Sequence, residues 1–100
     1  VIQSFGDDAT RDLFNGRNTS RSRRFPADIR RSTARKFDML NGARSLDDLR
    51  LSPGNRLEIL RGDRAGRFSV RVNDQWRLVF RWTETGPMDV VLETTTRRKP

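Results

Sequence analysis

The sequence predicts an α+β domain: a short N-terminal strand and two main helices come first, then an antiparallel β meander, with the helices packed on one face of the sheet. Three observations predict it. Apolar residues recur at helical spacing through the first half, the period changes to two after Arg56, and glycine-bounded turns separate the later segments. One hundred residues suffice for one modest core but not two, so residues 1–100 are expected to form a single domain without internal repeats.

Val1 to Phe5 alternates Ile2 and Ser4 with Val1, Gln3 and Phe5, which reads as a strand ended by Gly6. Asp7 or Asp8 can cap a short helix carrying Leu13 and Phe14, with a stop near Asn15-Gly16. Residues 17–25 are polar, arginine-rich and aperiodic, and are expected to be a mobile basic loop, with contact to RNA or ordering by a partner as further readings. Pro26 suits the first position of a second helix, in which Ile29, Thr33, Phe37 and Leu40 share the core-facing stripe. Asn41-Gly42 supplies a left-handed stop, and the outer face carries Arg30, Arg31, Arg35 and Lys36. Ser45-Leu46-Asp47-Asp48 resembles a weak capping box opening one helical turn, and Pro53-Gly54-Asn55 marks a turn.

Strands follow at Leu57 to Arg61, Arg67 to Val72, Gln75 to Trp82 and Met88 to Thr94. The hairpin between residues 67 and 82 fixes its own register. A two-residue loop would pair Val72 with Gln75, whereas the three-residue loop Asn73-Asp74-Gln75 pairs Val72 with Trp76, Val70 with Leu78 and Phe68 with Phe80. One consistent apolar face results. The other face then sets Arg71 against Arg77 and Arg67 against Arg81, with Ser69 and Val79 between.

Composition narrows the chemistry. The formal net charge is +8, and Lys36 and Lys99 are the only lysines. Guanidinium forks suit phosphate or another polyanion, although a GC-rich genome produces the same arginine bias. With no cysteine and no histidine, thiolate nucleophiles, disulfides, histidine general bases and the usual zinc sites are excluded, and no tyrosine replaces them. No cofactor or metal is expected. No apolar run approaches membrane-spanning length and the start lacks a secretory layout, so a soluble, cytoplasmic protein without a membrane partner is expected.

Two like-charge pairs in one hairpin destabilise it unless something lies between the charges. One reading is a phosphodiester held by paired guanidiniums, which can also stabilise charge developing on phosphorus. The other is that Glu58, Asp89 or Glu93 interleaves from neighbouring strands. Trp76 and Trp82 share the apolar face and read as core rather than base-stacking platforms. Asp63 can orient Arg61 or Arg64, or cap the turn that Gly62 and Gly66 permit.

Taken in order, Pro53-Gly54-Asn55-Arg56-Leu57-Glu58, Leu60-Arg61-Gly62-Asp63-Arg64-Ala65-Gly66 and Ser69-Val70-Arg71-Val72-Asn73-Asp74-Gln75-Trp76-Arg77 resemble the HigB-like toxins, including the GraT subgroup, of the RelE/ParE superfamily. Ile2-Gln3-Ser4-Phe5 and Ser45-Leu46-Asp47-Asp48-Leu49 fit the same pattern, so the likeness covers nearly the whole chain. The resemblance implies a RelE-like microbial ribonuclease-type fold and a ribosome-dependent, metal-independent endoribonuclease that cuts messenger RNA and inhibits translation. In this family the ribose 2′-hydroxyl attacks the adjacent phosphate. The resemblance implies functional roles for Arg61 and Arg77; with Arg71, which the hairpin register sets opposite Arg77, these are the expected catalytic residues, and Arg64, Arg67 and Arg81 are expected to bind RNA around them. The implied partners are the ribosome with its messenger RNA and a HigA-like helix-turn-helix antitoxin, through which alone operator DNA is reached.

The chain departs from the family at its end. An Asp-Tyr-His-like tail is usual there, whereas this chain reads Glu93-Thr94-Thr95-Thr96 and then Arg97-Arg98-Lys99-Pro100. Threonine is a poor proton carrier near neutrality, so the phosphate clamp is expected to be kept and the proton shuttle lost. Residues 95–100 are expected to be a disordered basic tail. Two rivals remain: a noncatalytic RNA- or ribosome-binding relic that mainly binds its antitoxin, and a ParE-like gyrase poison on the same scaffold.

Overall fold

A computed structural model describes residues 1–52 and 54–94. The helices are α1 (Asp8–Phe14), α2 (Ala27–Gly42) and α3 (Leu46–Leu51), followed by β1 (Glu58–Ile59), β2 (Arg67–Arg71), β3 (Trp76–Thr83) and β4 (Gly86–Thr94). The four strands form one antiparallel sheet in the order β1-β2-β3-β4, the meander that the turn spacing predicts. The tail at 95–100 and Pro53 of the predicted turn lie outside the described residues.

The helices cover one face of the sheet. Ile29, Phe37, Leu40 and Leu49 meet Val70, Leu78, Phe80, Val90 and Leu92 in a single buried cluster. Phe5, Phe14 and Phe37 pack together with ring centroids 5.1 to 6.3 Å apart, and Trp76 meets Phe25 edge-on at 5.6 Å. Both tryptophans are partly buried against this core. Aromatic edge-to-face geometry adds to the area that they remove from water.

Local chemistry sets most boundaries. The Asp7 carboxylate accepts the Thr10 amide at 2.8 Å and opens α1, and Gly16 closes it with φ 72°. Four details depart from expectation. Residues 1–5 form no ladder: only Phe5 bridges Val90, in parallel, while Gln3 N–H donates to the Pro87 carbonyl and Val90 N–H to the Ser4 carbonyl. The facing stretch of β4 is bulged: Asp89 is left-handed at φ 54°, where the β3–β4 register shifts. Pro26 is the cap residue of α2, one position before its first helical residue, because its ψ of 148° is still extended. Gly42 is not left-handed, and α2 ends instead as Ala43 becomes extended. Finally, the first meander strand is shorter than 57–61, since two residues pair and the chain then coils into a helical turn at Gly62–Arg64.

The segment 17–25 contains one such turn, Ser22–Arg24, with Ser22 and Phe25 buried. Asp12, almost fully enclosed, ties it down by accepting from Thr19 Oγ1 at 2.8 Å and Arg21 Nε at 3.1 Å. The Thr19 hydrogen bond, opposed by burial and assisted by Arg21, holds the Asp12 carboxyl below its usual pKa. Close approach also demands Gly6, where a Cβ would lie 2.3 Å from Val91 Cγ2. No helix among the described residues is long and apolar enough to cross a membrane.

Candidate phosphate-binding face

The β2–β3 register places Arg71 opposite Arg77, Arg67 opposite Arg81 and Ser69 opposite Val79, as the three-residue loop requires. Asn73 builds that loop: its Oδ1 accepts the amides of Gln75 and Trp76, both at 2.8 Å. The two arginine pairs stand four residues apart, about 13 Å along the strands. Ser69 and Val79 between them are buried although they face away from the helices, because long charged side chains cover apolar surface with their stems.

Acidic side chains interleave with these arginines. Glu93, opposite Arg77 in the β3–β4 register, receives a bidentate fork from Arg64 at 2.6 and 2.8 Å and lies 3.5 Å from Arg77. Asp89 lies 3.4 Å from Arg81, and Asp74 pairs with Arg71 across the loop. The Arg64 fork, against the opposing effect of burial, holds the Glu93 carboxyl below the usual carboxylate range, and the same contact raises the Arg64 pKa. The like-charge cost of the hairpin is therefore offset within the chain. Capacity for a ligand remains, since Arg77 Nε is buried without a partner and neither Arg61 nor Arg67 has an ion pair among the described residues.

An open cleft of about 160 Å³ lies at the end of this face, lined by Arg56, Glu58, Ser69, Arg71, Asn73, Asp74 and Arg77. It brings together two of the three predicted catalytic arginines, Arg71 and Arg77. Arg61 stands outside it, exposed at the start of the β1–β2 connection, and Asp63 pairs with neither Arg61 nor Arg64. Arg64 lies outside the cleft lining but shares Glu93 with the cleft residue Arg77, while Arg67 and Arg81 form the second, more distant pair. Guanidiniums at Arg71 and Arg77 can grip a phosphodiester, and the Glu58 carboxylate at the same cleft can accept a proton.

Sequence reading missed two contributors. Arg56, just ahead of the strand expected at Leu57 and not among the expected site residues, lines the cleft. Lys36 was placed on the outer face of its helix, but its Nζ donates to Asn55 Oδ1 at 2.7 Å, and its pKa is lowered by burial and then by nearby Arg71. Its position beside Phe37 on α2 was the available signal: a residue flanking the core stripe can reach inward with a long stem.

Comparison with known proteins agrees with this architecture. Residues 3–94 match the family model of the HigB-like toxin, described as a RelE-like toxin of type II toxin–antitoxin systems. Toxin HigB-1 of Vibrio cholerae serotype O1 is 40% identical over 73 residues, covering 73% of this chain and 77% of its own length. An uncharacterized protein of Haemophilus influenzae is 36% identical over 59 residues, or 59% of this chain and 58% of that protein. With the predicted hairpin register, the α+β order and a family match that spans nearly every described residue, the chain belongs to the HigB-like toxins of type II toxin–antitoxin systems.

Proposed function

We propose that this toxin cuts messenger RNA on the ribosome, with the 2′-hydroxyl of the substrate as nucleophile and no metal. The observation that carries this reading is the cleft that joins Arg71, Arg77 and Glu58, two phosphate-binding forks beside one proton acceptor. Arg71 and Arg77 hold the scissile phosphate and stabilise the charge that develops on it. Arg64, Arg67 and Arg81 bind the flanking strand along the same face, and Arg61 approaches it from the β1–β2 connection.

Glu58 takes the proton as the 2′-oxygen bonds to phosphorus, the bond from phosphorus to the 5′-oxygen breaks, and the departing oxygen is protonated by Glu58 or by water. The products are a 2′,3′-cyclic phosphate and a 5′-hydroxyl. Without histidine or tyrosine, proton transfer is slow, and cleavage is correspondingly weak. The partner is a HigA-like helix-turn-helix antitoxin, and operator DNA is contacted only through it.

Purified protein added to translating ribosomes should yield transcripts cut within the reading frame, mapped by primer extension, and Arg71→Ala with Arg77→Ala should abolish the cuts while the fold persists. Intact transcripts at full ribosome occupancy would leave the noncatalytic binder standing. Stalled gyrase and broken DNA in induced cells would replace the reading with a gyrase poison.

A further inference from the structure

The chain turns left-handed at Arg56, with φ 46°, a conformation that bulky L-residues seldom adopt and that concentrates at functional positions. The residue before it explains how the turn is held. Asn55 is fully buried and uses every polar group: its carbonyl accepts from Arg71 N–H at 2.6 Å, its amide donates to the Ser52 carbonyl at 3.3 Å, and its side-chain nitrogen donates to the Leu49 carbonyl at 2.9 Å. The remaining oxygen, Oδ1, takes the Lys36 ammonium at 2.7 Å. Helix α2, the end of α3 and strand β2 thus converge on one residue.

What this anchor presents is a guanidinium. The Arg71 N–H bonds the Asn55 carbonyl, so the left-handed residue that follows, Arg56, comes off the sheet next to Arg71, which itself faces Arg77. Three arginines are therefore gathered at this end of the sheet. All three line the cleft. Arg71 and Arg77 each have a carboxylate partner, whereas Arg56 is exposed and has no ion pair or side-chain hydrogen bond among the described residues. A solvated loop arginine would need neither the left-handed backbone nor a fully buried anchor behind it.

We propose that Arg56 is a third phosphate-binding residue of the cleft and that buried Asn55, held by Lys36, positions it. The inference rests on the reading of this face as an RNA site. Arg56 is the free fork that meets incoming RNA without first releasing a carboxylate, and the Lys36 ammonium, whose charge also stands near Arg71, keeps the anchor from turning away.

The test is binding of a short fluorescein-labelled single-stranded RNA to the full chain, read by anisotropy across a salt series. Arg56→Gln should weaken binding severalfold and lower the slope of log affinity against log salt by about 0.7, the value of one phosphate contact on a single strand. Arg56→Lys should restore most of the slope, because a point charge still reaches phosphate. Arg31→Gln, which removes the same charge from α2 on the helical layer, should leave the slope unchanged. Lys36→Met should weaken binding in the parent but not in the Arg56→Gln background, the mark of action through Arg56. An Arg56→Gln slope equal to the parent's overturns the phosphate role, and equal losses from Lys36→Met on both backgrounds overturn the positioning role. Absence of RNA binding by the parent itself would instead overturn the RNA reading on which both depend.

Discussion

Replacing Glu93 by glutamine should weaken the fold and tighten RNA binding in the same molecule. Glu93 neutralises two arginines at once, Arg64 through a bidentate fork and Arg77 at 3.5 Å. Hydrogen bonds to charged groups contribute about 1.5–3 kcal/mol. With side chains still 35% and 24% exposed, solvent screening reduces the Arg64–Glu93 pair to about 1–2 kcal/mol. In a chain of this size each kcal/mol corresponds to roughly 4–8 °C in Tm, so calorimetry should show a clear drop. The pH dependence has a definite sign. Because the folded carboxyl titrates below its unfolded value of about 4.3, its contribution is present above that pH and is lost as pH falls through the lower folded value. The variant should therefore lose stability at pH 7 but converge with the parent in acid. RNA affinity should rise severalfold at low salt, with a steeper salt slope, as Arg64 and Arg77 become free for phosphate. An unchanged Tm, or RNA binding that weakens, would refute the view that Glu93 holds these arginines for the free state.

Other changes test separate links. Arg77→Ala should cost under about 1 kcal/mol, since Glu93 keeps its Arg64 fork, while messenger RNA cleavage falls sharply; a large loss of Tm would make Arg77 a structural residue. Thr10→Val should cost about 1–2 kcal/mol, because Thr10 Oγ1 accepts the buried Leu92 amide at 3.0 Å and valine leaves that donor unpaired; denaturant midpoints at constant slope would measure it. Gly6→Ala should destabilise measurably as its methyl meets Val91 and the Asp89 carbonyl, and a neutral result would show that the N-terminal segment shifts freely along β4. Ribosome binding should weaken steeply between low and physiological salt, and a flat response would count against the arginine face.

The hairpin was legible in the sequence because two constraints agreed. Side-chain alternation and loop length together admitted one register, and that register placed every arginine pair that the structure shows. The stripe Ile29, Thr33, Phe37 and Leu40 was legible for the same reason, a period that one face must bury. What escaped depended on distant partners. Nothing local marks Asp12 as the tie for residues 17–25, since the residues it holds lie across a turn. The left-handed state of Arg56 escaped because arginine does not favour it, and only buried Asn55, with Lys36 behind it, enforces it. Gly42 misled in the opposite sense: glycine permits a left-handed stop without requiring one.

The two faces of the sheet answer to different demands. On the helical side, side-chain shape decides, and Val70, Leu78 and Phe80 are fully buried. On the other side charge decides, and the free protein must tolerate a cluster of cations, which on the proposed reading later meets RNA. Glu93, Asp89 and Asp74 lower that cost because they lie on the strand and loop next to the arginines, where register holds them in reach. Each carboxylate must be displaced or shared when a phosphate binds, so part of the binding energy is spent exchanging one anion for another. Arg56 escapes this exchange because its conformation is enforced from behind, by Asn55 and Lys36, rather than by an acid in front. A face built this way is stable when empty and, on the proposed reading, selects ligands that carry several negative charges at once, since a single anion gains too little to displace the carboxylates, whereas a phosphodiester chain engages several arginines together.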